Sequence, residues 1–133
     1  MKYICVGYYE PRKVENMSES ERNAMFDECF SYDDELRRNG HFAAGEALGS
    51  ANTAMTVHRK NGKVAVTDGP YAETKEQLGG ILVLEARDLN QAIQLMSQHP
   101  SLKYGSSFEI RPSADLTEMM RESERRRRKD ASR

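Results

Sequence analysis

Cysteine is scarce in this sequence, and no long apolar run is present. Cys5 and Cys29 form no CxxC pair and have no histidine at metal-ligand spacing, so neither a disulfide scaffold nor a zinc site is indicated. We expect two buried free thiols. No segment approaches the roughly 18 apolar residues of a membrane span, and charge returns at Glu10, too early for a signal peptide. The chain is therefore predicted to be cytoplasmic, without a membrane partner.

The sequence also has almost no net charge, because 20 Lys and Arg balance 21 Asp and Glu. This balance gives the molecule no overall attraction to nucleic acid or to other polyanions. It contains no P-loop, GxGxxG, GxSxG or HExxH pattern, and its three histidines are scattered. We therefore predict no cofactor, no metal and no nucleic-acid partner. The length of 133 residues suits one core.

Two segments carry the start and stop signals of helices. Ser18, followed by Glu21, forms a capping box, and the helix is expected to end at Asn39-Gly40. Its apolar residues at helical spacing are Met25, Phe26, Cys29, Phe30, Tyr32 and Leu36. Asp88 is predicted to cap a second helix that ends before Pro100 and buries Ala92, Ile93, Leu95 and Met96.

The remaining periodic segments read as strands. They are Lys2 to Tyr9, His41 to Leu48, Thr53 to Lys60, the segment after Lys63, Ile81 to Leu84, and Ser107 to Arg111. The unbroken apolar run at Ile81 is typical of a strand covered on both faces. This order of elements predicts an α+β protein with a ferredoxin-like βαββαβ arrangement and an inserted hairpin.

The dipeptide Asn61-Gly62 predicts the turn and the register of that hairpin. If Lys60 pairs with Lys63, alternate residues share a face. One face then carries Met55, Val57, Arg59, Val64, Val66 and Asp68, so that Asp68 ends an apolar surface.

The segment TDGPYAETKEQLGG, residues 67–80, follows that hairpin and concentrates the polar chemistry of the chain. Asp68, Gly69 and Pro70 suit an Asx-type turn, in which the carboxylate only accepts amide hydrogens. Alternatively, a carboxylate beside Met55 and Val66 is partly desolvated and suits a general acid or base. The charged residues that follow would then bind a small polar ligand. The residues alone leave both interpretations open.

The same segment closely resembles the signature of DGPF-domain proteins, a branch of the YCII-related family, with Tyr71 where the name expects Phe. The hairpin NGKVAVTDGPYAETKE, the strand GGILVLEA and the stretch FEIRP at residues 108–112 follow in the family's order. The resemblance covers residues 1–113. It implies a ferredoxin-like subunit that forms a homodimer, a dimeric α+β barrel, with a cleft between sheet and helices.

The resemblance also implies a function. Smaller YCII-type proteins are suspected enzymes because a helix histidine and an aspartate meet in the cleft, but the predicted helix at residues 18–39 has no histidine. The first hypothesis is a protein that binds a small polar molecule, or an enzyme of lyase or hydrolase type, with Asp68 as catalytic residue. The predicted ligand-binding residues are Tyr71, Glu73, Lys75, Glu76, His41, Glu109 and Arg111. The alternative is a non-catalytic regulatory module linked to sigma-factor transcription.

Residues 114–133 form a charged extension outside the resemblance. Met119 and Met120 are its last large apolar residues, and Arg125 to Lys129 are a run of positive charge. We predict a solvated tail that is helical and then frayed. No aromatic residues lie within the run to stack on bases, which argues against RNA binding.

Overall fold

The main sheet has four antiparallel strands in the order β2-β5-β1-β6. The computed structural model describes residues 1–131. The strands of this sheet are β1 (Lys2–Tyr9), β2 (Phe42–Ala47), β5 (Gln77–Glu85) and β6 (Ser107–Pro112). One long helix follows β1 and a shorter one follows β5, and each leads into an outer strand. This is the predicted ferredoxin-like arrangement, and the fold prediction is confirmed.

The two helices with predicted caps begin where the sequence signals place them. The α-helices are α1 (Pro11–Glu15), α2 (Glu19–Arg38), α3 (Leu89–Ser97) and α4 (Thr117–Ala131). The Ser18 hydroxyl oxygen accepts the Glu21 amide at 3.1 Å, and Asp88 Oδ1 accepts the Gln91 amide at 2.9 Å. Both predicted caps are confirmed. Helix α1 was not predicted; Pro11 occupies its first turn, a position at which the missing amide costs nothing.

The inserted hairpin is a separate two-stranded sheet of β3 (Met55–Lys60) and β4 (Lys63–Asp68). All of its cross-strand pairs, from Met55 with Asp68 to Lys60 with Lys63, match the register predicted from Asn61-Gly62. Asn61 and Gly62 both have positive φ, at 53° and 77°, as this tight turn requires.

The core lies between one face of the main sheet and helices α2 and α3. Its buried residues include Tyr3, Cys5, Leu36, Leu82, Leu84, Ala92 and Met96. Both cysteines are free; Cys5 is buried, as predicted, whereas Cys29 is half-buried. The hydrophobic effect of this single packed face holds the sheet to its helices.

Two expectations about burial are wrong for the single chain: Ile93, predicted to lie in the buried stripe of α3, is 45% exposed, and β5 is not covered on both faces. On α2, Phe26 and Phe30 share the apolar helical spacing but stack on each other at the surface, 45% and 61% exposed. They lie one position away from Met25 and Cys29, so they fall outside the helix face that meets the sheet. Strand β5 is covered on one face only, because Ile81 remains 40% exposed. Its other face belongs to the outer side of the sheet.

Helix α4 carries the charged extension. None of its described residues is buried, and the expected fraying of the last residues concerns positions 132–133, outside the described part of the chain. Within residues 1–131, no helix is both long enough and apolar enough to cross a membrane.

Candidate functional site

The turn after β4 is closed by a backbone hydrogen bond and by the Thr56 hydroxyl, not by the Asp68 side chain. The Gly69 amide donates to the Ala54 carbonyl at 2.8 Å, and the Thr56 hydroxyl donates to the Gly69 carbonyl at 2.8 Å. Gly69 has φ of 101°, a conformation that favours glycine. Asp68 is exposed, and across residues 1–131 no hydrogen bond reaches its carboxylate. The amide bonds of an Asx-type turn are therefore not what pins this reversal.

A cleft of about 440 Å³ lies beside the second half of the same segment. It is lined by Glu10, Pro11, Arg12, Glu15, Thr74, Lys75 and Gln77. Helix α1 forms one wall, and the chain that enters β5 forms the other. The cleft exists because Pro11 starts a helix immediately after β1, which turns the chain sharply toward the segment that leads into the neighbouring strand.

Glu10 is the best-held side chain of this cleft. Only 13% of it is exposed, and its two carboxylate oxygens lie 3.6 Å from Lys13 Nζ and 3.5 Å from Lys75 Nζ. These two ion pairs hold the largely buried carboxylate in one position. Thr74 donates its hydroxyl hydrogen to the Glu76 carbonyl, which fixes the backbone on either side of Lys75. Glu10 and Lys75 therefore join the two walls.

The structure brings one of the predicted ligand-binding residues, Lys75, into this cleft. Asp68, Glu73 and Glu76 lie at the surface outside its lining, and Tyr71 is 93% exposed. Their functional roles stay predictions.

The other predicted ligand-binding residues occupy the main sheet and its flank. Glu109 and Arg111 form an exposed ion pair on β6, with Nε 2.8 Å from Oε2. His41 bonds through Nδ1 to the Glu85 carbonyl at 2.8 Å, next to the backbone bond from the Glu85 amide to the His41 carbonyl. Its ring tethers β2 to the end of β5.

A second polar group lies where α2 meets the 3₁₀ turn Pro100–Tyr104. His99 is buried; its Nε2 lies 3.1 Å from Asp33 Oδ1, and its Nδ1 accepts the Ser101 amide at 3.2 Å. The Ser101 hydroxyl lies 2.9 Å from the same Nδ1. Tyr32 and Phe108 pack edge-on against the imidazole, with ring centroids at 5.4 and 5.2 Å. Both ring nitrogens therefore have protein partners, which suits a structural histidine.

The Cys29 thiol near Asp33 is not an activated nucleophile. Burial, together with the charges of Asp33 and Glu28, raises the pKa of Cys29 to about 11. At neutral pH this thiol stays protonated and is a poor nucleophile. Lys103 pairs with Glu28, and that hydrogen bond raises the pKa of Lys103. Within residues 1–131, no group of three or more His, Cys, Asp or Glu side chains could hold a metal ion.

Sequence reasoning missed both of these arrangements. Glu10 and Arg12 flank Pro11, which ends the first strand. A strand followed at once by proline was the sequence signal that could have indicated a sharp change of chain direction here. The pair of His99 and Asp33 joins residues 66 positions apart, so no local pattern announces it. Helix α2 contains no histidine, but its Asp33 contacts His99, which follows α3.

The comparisons with known proteins agree with this fold. The model of the YCII-related domain matches residues 1–115. An uncharacterized protein of Rhizobium meliloti (strain 1021) is 27% identical over 118 residues, which cover 86% of this chain and 93% of that protein.

Among solved structures, the chain is similar to 5-chloro-2-hydroxyhydroquinone dehydrochlorinase (TftG) from Burkholderia phenoliruptrix AC1100, in complex with 2,5-dihydroxybenzoquinone. The TM-score is 0.52, the sequence identity is 14%, and the match covers 86% of this chain and 94% of that one. This likeness concerns the fold, whereas the family model carries the assignment. The chain belongs to the family of YCII-related domain proteins.

Proposed function

We propose that this protein binds a small anionic molecule, a carboxylate or an enolate, in the cleft at Glu10. The observation that carries the proposal is the Glu10 carboxylate, 13% exposed and held between Lys13 and Lys75 at one wall of a cleft of about 440 Å³. Ligand sites typically enclose roughly 300–1,000 Å³ and combine a few fixed polar groups with concave shape. The cleft has the size for a single-ring molecule.

The charge of the cleft favours an anion. Among the lining residues, Arg12 and Lys75 bring two positive charges and Glu10 and Glu15 two negative ones, and Lys13, which pairs with Glu10 from outside the lining, adds a third positive charge. Lys75 is 78% exposed and Arg12 is exposed, so both cations are accessible to a ligand. The ion pair with Glu10 holds Lys75 at the cleft. An anionic group would then lie between Lys75 and Arg12, and Glu10 would face the rest of the ligand.

For the reaction, we propose the lyase type, with Glu10 in the acid or base role that sequence reasoning gave to Asp68. The Glu10 carboxylate would take a proton from a carbon of the substrate, and the electron pair of that C–H bond would form a double bond to the neighbouring carbon. The leaving group on that neighbouring carbon would depart as an anion with the electron pair of its own bond. Lys75 and Arg12 would stabilise the negative charge that develops. TftG is named as a dehydrochlorinase, and dehydrochlorination is a reaction of this type. Because the two proteins share only the fold, this name supports the proposal by analogy.

The binding step is tested by a ¹⁵N–¹H NMR titration with benzoate and with 2,5-dihydroxybenzoquinone, the compound bound to TftG. We expect saturable shifts of the Thr74, Lys75 and Gln77 amides in the wild type, and their loss in Lys75→Gln. Lys63→Gln, which removes an exposed charge on the hairpin, is the matched control and should titrate like the wild type. Shifts that map outside the cleft, or that do not saturate, would contradict the proposal.

The chemical step has its own test. We expect Glu10→Gln to retain an anion in the cleft but to lose turnover of halogenated hydroquinones, followed as chloride release. If wild-type protein binds these compounds and releases no chloride, the binding proposal stands and the lyase proposal fails for this substrate class.

We also propose that the protein is a homodimer in which a second copy covers the outer face of the main sheet. Ile4, Val6 and Val83 are half-buried there, and Ile81 is exposed, so an apolar strip runs across the central strands. A second copy is the simplest cover for such a face. Light scattering at micromolar concentration tests this proposal, and a persistent monomer would contradict it.

A further inference from the structure

The hairpin β3–β4 exposes its apolar face to solvent and partly buries its more polar face. Its apolar face is the open one: Met55, Val57, Val64 and Val66 are 58%, 67%, 71% and 56% exposed. On the opposite face, Thr56, His58 and Ala65 are half-buried. In a lone soluble domain the apolar side of a two-stranded ribbon is expected to face the core. A contiguous apolar patch that faces solvent marks a contact surface.

This hairpin face carries one charge of each sign, at opposite ends. The register places Met55 and Asp68 at the open end, Val57 and Val66 in the middle, and Arg59 and Val64 beside the turn. Within residues 1–131, Arg59 donates only to the Gly62 carbonyl of the turn, at 3.3 Å, and the Asp68 carboxylate has no hydrogen bond. This face is therefore complementary in charge to the same face of a second copy, if the strands of the two copies run antiparallel.

We propose that this hairpin face binds the same face of a second copy of the chain, with the strands antiparallel about a two-fold axis that passes by Val57 and Val66. In that arrangement each Arg59 meets the partner's end that carries Asp68, and two reciprocal ion pairs flank a centre formed by Val57 and Val66. The reversed alternative, with the strands parallel, sets Arg59 beside Arg59 and Asp68 beside Asp68, which is repulsive. Charge therefore selects the antiparallel contact.

This contact is separate from the cleft at Glu10 and does not rest on the proposed ligand. It also uses a different surface from the outer face of the main sheet. Oligomeric state alone would not tell the two contacts apart, so the experiment has to report on the hairpin itself.

Cross-linking through single cysteines reads the geometry of the hairpin contact. On the two-fold axis, Val57 faces Val57 of the other copy, whereas the two Val64 residues are offset by about 14 Å along the strands, from the usual rise of about 3.4 Å per residue. In a Cys29→Ser background, a short bismaleimide should link Val57→Cys into a covalent dimer at low micromolar concentration. Val64→Cys, at an equally exposed position, is the matched control and should link at least fivefold less. Equal yields from the two variants would overturn the proposal.

Reversal of the charges tests its chemistry. Arg59→Asp leaves the hairpin face with two acids, and Asp68→Arg leaves it with two bases, so each single variant should weaken association roughly tenfold. The double variant carries one charge of each sign again and should recover most of the wild-type affinity, measured by sedimentation velocity. Both substitutions are at exposed positions, and circular dichroism melts check that each of the three variants folds. A double variant that associates no better than the single ones would sink the proposal.

Discussion

His99 Nε2 donates its hydrogen to Asp33 Oδ1 across 3.1 Å and so ties the segment after α3 to the middle of α2. The tautomer follows from the other ring nitrogen, since Nδ1 accepts the Ser101 amide. Because the imidazole is buried and flanked by Tyr32 and Phe108, this bond is shielded from water. The pair joins two elements that share no backbone hydrogen-bond ladder.

Asp33→Ala is expected to lower the free energy of unfolding by about 1.5–3 kcal/mol, because a buried donor then loses a charged acceptor. Asp33→Asn should cost less, since its side-chain oxygen can accept the same hydrogen. Asp34→Ala is the control: its partner Arg37 lies 2.9 Å away, but the pair is exposed and should contribute under about 1 kcal/mol. Urea unfolding of the three variants decides the matter, and equal losses for Asp33→Ala and Asp34→Ala would contradict a structural role for His99.

Gly79→Ala is expected to strain the entry into β5. A Cβ at this position would lie 2.7 Å from Cδ1 of the Tyr9 ring, where β1 and β5 pass through a register shift. Either the ring or the strand must move, at a cost of roughly 1–3 kcal/mol. Gly49→Ala is the matched control, because its Cβ would meet only Thr53 Oγ1, at 3.5 Å. Thermal melts of both variants test this, and a Gly79→Ala protein as stable as Gly49→Ala would refute it.

The half-buried thiol of α2 predicts a loss of stability at high pH. The folded state raises the pKa of Cys29 from 9.0 to about 11, chiefly by burial. Between these two values the unfolded chain releases the proton while the folded chain holds it, so stability is complete below pH 9 and falls as the pH rises to 11. Since Cys29 is partly exposed, the loss should be about 1 kcal/mol. Cys29→Ala should show a shallower decline over this range in urea titrations, and an unchanged slope would contradict the assignment.

Local signals in the sequence predicted the framework of the fold. Ser18 and Asp88 marked the starts of α2 and α3, and Asn61-Gly62 fixed every pair of the hairpin, because caps and tight turns depend on a few neighbouring residues. The order of elements then left the ferredoxin-like topology as the natural arrangement.

What local signals could not supply was the direction in which each surface faces. The register placed Asp68 at the end of an apolar face, but whether that face points inward depends on how the hairpin lies against the rest of the chain. Phe26 and Phe30 illustrate the same limit, since their spacing is helical but their angle around α2 turns them to solvent. The cleft at Glu10 and the pair of His99 with Asp33 are tertiary, and their partners are distant in sequence.

Removal of the charged extension is expected to leave the domain folded. The family model ends at residue 115, and none of the described residues of α4 is buried, so a chain of residues 1–115 keeps the whole core. Its free energy of unfolding should differ from that of the full chain by less than about 0.5 kcal/mol, as for other changes at exposed positions. The truncated chain has 13 basic and 17 acidic residues, which changes the formal net charge from −1 to −4. It should therefore bind an anion-exchange column more tightly while its urea midpoint stays the same, and a clear drop in that midpoint would show that α4 packs on the domain.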